Sequence, residues 1–223
     1  MAGRDDAIWL RPERAGVGRP AERSRAEITA AALALADSDG LDAVSMRRVA
    51  AGLGTGPGSL YRYVATRGEL LDMMVDATAA EYRLGPPTGN TVDDLVDVAE
   101  QARAIMRRHP WLPGQLTSRS SIGPHGAVVL EYVLGLVADR PGDARAKLEL
   151  FAVLMGLTAL FTQNELTADP DAARRQADYL THLAGTRDFP ALTALLAGTP
   201  AARPPDDPFR TVLRRVVAGL LGD

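Results

Sequence analysis

Residues 45–64 read SMRRVAAGLGTGPGSLYRYV, and this stretch decides the fold. Val49, Ala50 and Leu53 recur at helical spacing and give its first half one apolar side. A glycine stands on each side of Leu53, and a glycine just past a helix end can adopt the left-handed conformation that stops the helix. The pattern predicts a short helix followed by a tight turn.

The second half of this stretch predicts another short helix. Leu60 and Val64 give that helix a buried edge of its own. Its outward side carries hydroxyl groups and a guanidinium rather than carboxylates, on Ser59, Tyr61, Arg62 and Tyr63. Two short helices of this kind are typical of the helix-turn-helix, whose second helix enters the major groove of DNA.

The distribution of charge favours the same interpretation. No acidic residue lies between Asp42 and Glu69, although the whole chain has a formal charge of -3. The cations in this interval are Arg47, Arg48, Arg62 and Arg67. A local basic patch on an acidic protein suits contacts with DNA phosphates. An ordinary helical hairpin with a solvated, arginine-bearing face would give the same pattern, so that alternative stays open.

A longer run of segments makes the prediction more specific. These segments comprise residues 25–36, 40–41, 45–50, 53–54, 59–64 and 67–71. In this order, residues 24–82 resemble the DNA-binding domain of the tetracycline-repressor (TetR) family of bacterial transcription regulators. One departure is Gly56-Pro57-Gly58, where the family usually carries bulkier residues at the start of the recognition helix. Operator specificity would then depend on fewer side chains or on close approach of the backbone.

The resemblance implies a set of DNA-contacting residues. These are Arg47, Thr55, Gly58, Ser59, Tyr61, Arg62, Tyr63 and Arg67. Arg62 is the candidate for reading guanine, because its planar fork matches the O6 and N7 acceptors. The other polar side chains are expected to contact phosphate, with Arg47 also able to reach a base edge. The ring of Tyr63 could pack into the core instead.

Composition and breaks in the pattern divide the chain into three parts. Residues 1–22 lack periodicity and predict a flexible arm, whose end (Arg19, Arg23 and Arg25) could touch DNA or remain a solvated tail. Residues 23–84 form the helix-turn-helix domain, with a fourth helix running from Thr66 to about Tyr82 as a connector. The sequence GPPTG then precedes residues 90–223, in which every periodic segment is helical. The expected fold class is all-α, with this C-terminal domain binding an effector and forming a dimer.

Within the segment 144–166, residues 148–161 are apolar almost all round, so a helix there must be covered on every side. The last helix is similarly apolar. The TetR resemblance implies that two such helices from each subunit form a four-helix dimer interface, whereas the pattern alone fits a central core helix equally. The predicted interface residues are Leu150, Leu154, Leu157, Leu213, Val216, Val217 and Leu220.

The resemblance also implies a mostly apolar effector pocket in the C-terminal domain. Its candidate residues carry aromatic, thioether, imidazole or aliphatic groups, which suit such pockets. They are Met106, His109, Trp111, Leu116, His125, Tyr132, Phe151, Met155 and Phe161. Each of them could instead be a core residue.

Several other classes of protein find no support in the sequence. There is no cysteine, and the three histidines lack metal-ligand spacing, so neither a metal nor a cofactor is expected. No signal peptide or membrane span is recognisable, which predicts a cytoplasmic protein without a membrane partner. The sequence contains no recognisable nucleophile–base motif and no phosphate-binding loop, so it gives no indication of an enzyme.

The sequence therefore predicts a ligand-responsive transcriptional regulator, and repression is the commoner mode in the TetR family. It would bind an inverted-repeat operator in double-stranded DNA as a homodimer and be released by a small hydrophobic effector. An architectural DNA-binding protein without strong sequence preference is the first alternative, and an all-helical enzyme is the second.

Overall fold

The computed structural model describes residues 8–12, 23–119, 121–186, 188–198 and 207–222. Within these ranges the chain is helical and contains no strand, which confirms the predicted all-α class. The α-helices, numbered in chain order, are α1 (Arg25–Asp39), α2 (Met46–Gly52), α3 (Pro57–Leu60), α4 (Arg67–Ala79), α5 (Thr91–Arg108), α6 (Leu112–Ser118), α7 (Pro124–Leu136), α8 (Ala144–Leu166), α9 (Pro170–Thr186), α10 (Pro190–Ala197) and α11 (Pro208–Leu221).

Side-chain caps fix where α1 and α4 begin. Ser24 accepts a hydrogen bond from the backbone N–H of Glu27, whose carboxylate accepts one from the N–H of Ser24, so the predicted capping box is present. Thr66 caps α4 by accepting from the N–H of Glu69. The Glu69 carboxylate reaches one residue further back and accepts from the N–H of Ala65.

The helix-turn-helix consists of α2 and α3. Ser45 caps α2, and Gly54 has a φ of +66°, a conformation that side chains with a Cβ rarely adopt. The predicted second helix is regular for only one turn, and its residues as far as Tyr63 continue as turns. Leu60 and Val64 are fully buried, as their spacing predicts.

The N-terminal unit (α1–α4) and the C-terminal body share helices rather than only a linker. The core of the N-terminal unit includes Leu70 and Met74 of α4, but Ile105 and Met106 of α5 and Leu112 of α6 belong to the same cluster. A second core joins α5, α7, α8 and α11. The helix α4 packs against α1 on one side and against α6 and α7 on the other, so it belongs to both bodies.

Three boundaries differ from the sequence prediction. The helix α4 ends at Ala79, and the chain turns before Tyr82. Asn90, rather than Thr91, caps α5, because its side chain accepts the hydrogen bond from Asp93. The helix α6 was not predicted, since a proline and a glycine follow the first residue of its short sequence; a proline is tolerated there in the first turn.

Most of the predicted dimer residues are buried inside one chain. Leu150, Leu154, Leu213 and Val217 pack in the second core and are at most 7% exposed, so for these four the interface prediction is wrong. Leu157 and Val216 are partly buried, and Leu220 is 50% exposed. Both apolar segments form helices, as their pattern predicts. Residues of the same chain already cover the inner face of each helix. The exposed apolar residues of these helices are Leu148, Val153, Leu160, Leu166, Val212 and Leu220.

Part of the predicted flexible arm is packed. Residues 8–10 form a turn of 3-10 helix in which Ile8 is only 3% exposed, and Trp9 packs against the core of the N-terminal unit. Arg25 donates to the carbonyl oxygens of Ile8 and Arg11, and Arg11 forms an ion pair with Glu69. The apolar pair Ile8 and Trp9 and these polar contacts together hold this segment against the N-terminal unit. The rest of the predicted arm, including Arg19, lies outside the described residues.

The helices α9 and α10 pack mainly against each other. Neither of them contains a buried residue. No helix among the described residues is long and apolar enough to cross a membrane.

Candidate nucleic-acid interface and effector cavity

The helix-turn-helix presents one polar face to solvent. Arg47 on α2 and Arg62 after α3 are exposed, and Tyr61 between them in the chain is 53% exposed. Thr55 and Ser59 are partly buried at the turn and on α3. Because the buried Leu60 and Val64 fix the opposite side of this segment, the exposed residues share one outward surface. That surface can supply cations and hydroxyl donors to a phosphate backbone and a guanidinium to a base edge.

Gly58 lies on the same surface and has open space where a Cβ would stand. The fold itself therefore does not require a glycine there. Absence of a side chain at Gly58 brings the backbone of α3 closer to whatever this face contacts. This position fits the predicted close approach of the backbone.

Two predicted DNA contacts have different roles in the structure. Tyr63 is only 8% exposed and belongs to the core of the N-terminal unit, so its ring packs as the alternative interpretation proposed. Arg67 donates from Nε to the carbonyl oxygen of Val44 and from a terminal nitrogen to that of Leu41. Its guanidinium thus fastens the start of α4 to the loop before α2, which was not visible from the charge pattern.

The remaining cations around this face are also partly engaged. Arg48 pairs with Asp39 at 2.5 Å, and both side chains stay solvent-accessible. Arg23 donates to the carbonyl oxygen of Leu53, and Arg25 donates to that of Tyr63, so both help to hold the helix-turn-helix in place. The expectation that these two arginines form a DNA-touching arm is therefore replaced by a structural role.

A cavity of about 600 Å³ lies between the N-terminal unit and the C-terminal body. Its walls are formed by the second half of α4 and by α5, α6, α7 and α8. The lining is mainly aliphatic and aromatic, which is typical of small-molecule sites. The helix α4 contributes Val75, Asp76, Thr78 and Ala79, and Tyr82 follows just after its end.

Four of the predicted effector residues line this cavity: Met106, Leu116, Phe151 and Met155. Tyr132 and Phe161 pack instead against the second core, where Phe161 stands edge-on to Phe209 at 5.7 Å. Helical periodicity identified these residues as apolar but gave no sign of which inner face borders a void. Their expected position in the pocket is therefore wrong.

His109 and Trp111 form a polar bridge rather than a pocket wall. His109 places Nδ1 2.8 Å from Oδ1 of Asp37 and Nε2 2.7 Å from Oε1 of Glu81. Trp111 donates from Nε1 to the same oxygen of Asp37 at 2.7 Å. Both aromatic side chains are buried, so their predicted role as pocket residues is wrong. We call these four residues the junction cluster.

The junction cluster joins three parts of the molecule. Asp37 belongs to α1, Glu81 follows α4, and His109 and Trp111 lie between α5 and α6. Burial favours the protonated form of Glu81, but hydrogen bonds from Arg108 and His109 outweigh it, so the pKa of Glu81 lies below its usual value. The cluster thus ties the end of α5 to two helices of the N-terminal unit.

His125 does not line the cavity, but it contacts Asp76, a charged residue of the cavity wall. Its Nδ1 lies 2.8 Å from Oδ2 of Asp76, and the backbone N–H of Gly126 donates to Oδ1 of the same carboxylate at 2.9 Å. A Cβ at Gly123 would come within 2.4–2.6 Å of Asp76 and Trp9, so the backbone there approaches α4 closely. These contacts pin the start of α7 to the middle of α4.

The sequence prediction missed the cavity residues of α4. The pattern of that helix indicated a connector, and its last two turns were therefore assigned to linkage rather than to a binding wall. A usable signal was present, because Asp76 and Thr78 interrupt an otherwise apolar run. Polar residues at such positions need partners when they are buried.

Among the described residues no cluster of histidine or acidic side chains has the arrangement of a metal site. The histidine and acidic side chains around the cavity and in the junction cluster are instead paired with one another by hydrogen bonds. The arrangement can present a cationic surface to an anionic polymer and enclose a largely apolar small molecule. One helix, α4, touches both regions.

Comparison with known proteins finds two family profiles that match successive parts of the chain. Residues 28–74 match the profile of bacterial regulatory proteins of the tetR family, and residues 85–222 match the tetracyclin repressor-like C-terminal domain. The HTH-type transcriptional repressor DrrR1 of Streptomyces coeruleorubidus is 32% identical, with 96% of this chain and 83% of that protein covered.

Solved structures extend the similarity to the whole fold. Apo ActR from Streptomyces coelicolor superposes with a TM-score of 0.77 at 27% identity, covering 90% of this chain and 96% of that one. ActR in complex with actinorhodin gives a TM-score of 0.74 at 28% identity, covering 90% and 97%.

Proposed function

The chain belongs to the tetR family of bacterial regulatory proteins, and we propose that it is a ligand-responsive transcriptional repressor. It binds an inverted-repeat operator as a homodimer and is released when a small, largely apolar molecule enters the cavity. The similarity to a named repressor and to a regulator solved with a bound small molecule supports this function. The residues of this chain supply the proposed mechanism.

One observation carries the proposal: α4 is a wall of the cavity and also part of the DNA-binding unit. Leu70, Leu71 and Met74 in its first half are buried in the core beneath the helix-turn-helix. Val75 and Ala79 in its second half line the cavity. A helix is stiff over this length, so a displacement at the cavity end moves the end that holds α2 and α3.

The exposed polar face supplies the DNA contacts. Arg62 reads a base edge in the major groove, and Arg47, Thr55, Ser59 and Tyr61 contact phosphates. The close approach of α3 is helped by Gly58. Tyr63 and Arg67 hold this unit together from within and are not among the proposed contacts.

A homodimer follows from the size of the recognition segment and from the exposed surface. One short segment reads few base pairs, and a two-fold dimer reads two inverted half-sites. Val153 on α8 and Leu220 on α11 line one shallow groove, and Leu160 and Val212 extend the exposed apolar surface of the same helices. We place the partner subunit on this surface.

The α9–α10 hairpin supports a second contact with the partner. It buries no residue within one chain, although it carries large exposed apolar side chains. They are Tyr179, Phe189, Leu195 and Leu196. A hairpin of this kind gains most of its stability from a covering surface, and a second copy supplies one.

Release is a shift between two arrangements of the dimer. An effector that binds more tightly when α4 is displaced favours the arrangement whose recognition segments no longer match the operator spacing. The junction cluster transmits the displacement, because it fastens the end of α5 to α1 through Asp37 and to the turn after α4 through Glu81. The effector then weakens DNA binding without touching DNA.

The test is a gel shift of the purified protein with DNA that flanks its own gene, in the presence of excess nonspecific DNA. A discrete complex on a fragment containing an inverted repeat is the expected result. Retention that nonspecific DNA removes completely would instead favour an architectural protein. No retention at low salt would contradict DNA binding altogether.

A further inference from the structure

The cavity has polar side chains, and the hydrogen bonds that these side chains already make restrict which ligands can bind. Its charged side chains, within the described chain, are Asp76 and Arg119. Asp76 is occupied by His125 and by the backbone N–H of Gly126. Arg119 donates from Nε to Asp72 at 2.8 Å and from Nη2 to the carbonyl oxygen of Gly68 at 2.7 Å. Each charge thus already has its partners in the protein.

The hydroxyl groups of the cavity differ in their partners. Thr78 donates to the carbonyl oxygen of Val75 at 2.7 Å, and Thr117 donates to carbonyl oxygens of its own helix. Ser121 also lines the cavity, and its side chain is exposed to solvent. Tyr82 is different, because its Oη has only the thioether sulfur of Met155 as a partner, at 3.8 Å, in the part of the chain that the structure describes. A thioether is a weak acceptor. The phenolic proton therefore lacks a strong acceptor.

Tyr82 lies at the wall of the cavity together with its partner Met155. Its ring packs against both cores, and burial raises the pKa of its hydroxyl, so this group remains a neutral donor. A partly buried donor without a good acceptor loses some of the free energy that a hydrogen bond with water would provide. An acceptor oxygen brought by a ligand would restore that free energy.

We propose that the cavity selects a neutral ligand whose carbonyl or ether oxygen accepts a hydrogen bond from Tyr82. This inference rests on the proposed effector site. An anionic ligand would have to lose its water shell beside apolar walls and the Asp76 carboxylate, while the Arg119 guanidinium is held by Asp72. A cationic ligand would have to compete with His125 for Asp76. The apolar lining binds the rest of the molecule, and Tyr82 is the residue that determines specificity.

The test uses rigid three-ring probes that differ in net charge and in the presence of a carbonyl oxygen. Equilibrium dialysis of the full-length protein measures the affinity for 9-fluorenone, fluorene, 9-fluorenone-2-carboxylate and the 9-aminoacridine cation. We expect fluorenone to bind about five-fold more tightly than fluorene, which lacks the oxygen. The carboxylate and the cation should both bind at least about ten-fold more weakly than fluorenone.

The variant Tyr82→Phe removes only the hydroxyl group. It should abolish the preference for fluorenone over fluorene and leave the affinity for fluorene unchanged. Tyr132→Phe is the matched control, because Tyr132 packs against the second core away from the cavity, and it should keep the preference. Equal thermal midpoints of the two variants will show that the fold is intact.

Three results would overturn the inference: a fluorenone preference that survives in Tyr82→Phe, a carboxylate or cation that binds as tightly as fluorenone, or no binding of any probe. The proposed repressor function is read out separately by the gel shift. Probe selectivity as expected, with no operator complex on any DNA, would leave the ligand inference standing and contradict the repressor function.

Discussion

Arg62 and Tyr63 are neighbours in the chain, yet their side chains have opposite environments. Arg62 is exposed on the helix-turn-helix, whereas Tyr63 is 8% exposed and packed within the core. The difference arises because Leu60 and Val64 are both fully buried, and the chain between them turns only once. A guanidinium at the exposed position is free to meet a base edge. A phenol at the buried position instead stabilises the unit that carries it.

Replacing Arg62 with alanine should weaken operator binding by about 1–3 kcal/mol and relax the base preference at one position of each half-site. The reason is the loss of a bidentate contact with guanine. Fluorescence anisotropy with operator DNA and single-base variants measures both effects. Arg174→Ala removes the same charge from the exposed surface of α9 and should leave affinity and preference unchanged. Equal behaviour of the two variants would contradict the assignment of Arg62.

Residue positions at the candidate sites were predictable only where the local pattern determines them. Arg62 could be placed on the outer side of its segment, because Leu60 and Val64 mark the buried side. Arg67 could not, because its bonds to Leu41 and Val44 depend on how two separate segments meet in space. The same holds for His109, whose partners Asp37 and Glu81 are 72 and 28 positions away in the chain.

At the scale of elements, α8 is the helix whose sequence and environment can be compared most directly. Its bounds, Ala144–Leu166, agree with those predicted from its apolar run. Leu150 and Leu154 lie on the buried inner face of the helix. Val153 and Leu160 lie on its exposed outer face, so apolar residues occupy both faces. Periodicity alone could not separate these faces. The bounds of a helix are set by local sequence, whereas its neighbours are set by the rest of the chain.

The C-terminal part of α8 is fastened to α5 by charge. Glu165 accepts hydrogen bonds from Arg103 and Arg107, and Asp207 accepts one from Arg103. Burial acts to raise the pKa of Glu165, but the two arginines outweigh it, so the pKa lies below its usual value of 4.5. A carboxylate with a lowered pKa in the folded state stabilises that state above the unfolded pKa. This contribution is lost as the pH falls through the folded value.

Glu165→Gln should therefore lower the free energy of unfolding by about 1 kcal/mol at pH 7. Urea unfolding at pH 7, 5 and 3 should give a difference from the native sequence that stays constant down to about pH 5 and is smaller at pH 3. Glu149→Gln on the same helix is the control, since Glu149 is solvent-exposed and pairs only within the helix, with Arg145. A difference of the same size at all three pH values would rule out the ionic origin.

At the scale of the whole molecule, the exposed outer faces of α8 and α11 need a covering surface. Leu160 is 55% exposed and belongs to the proposed interface. Leu160→Glu would place a charge between two apolar faces and should raise the dimer dissociation constant by about two orders of magnitude. Sedimentation velocity measures this change, and operator affinity should fall with it.

Leu10→Glu is the matched control for Leu160→Glu, because Leu10 is 72% exposed and far from α8 in the sequence. It should leave both the dimer and the operator complex unchanged. A dimer of undiminished stability in Leu160→Glu would move the partner subunit to another surface. The exposed α9–α10 hairpin would then be the next candidate.

The most direct test of coupling between the cavity and the DNA-binding unit needs no knowledge of the ligand. Ala152 lines the cavity from α8, so Ala152→Trp fills part of the volume that an effector would occupy. Ala127→Trp adds the same side chain to the exposed surface of α7, outside the cavity lining and the proposed interface, as a control. Anisotropy titrations with operator DNA should show about ten-fold weaker binding for Ala152→Trp alone, with an unchanged dimer. Unchanged operator affinity in a folded Ala152→Trp variant would contradict the coupling through α4.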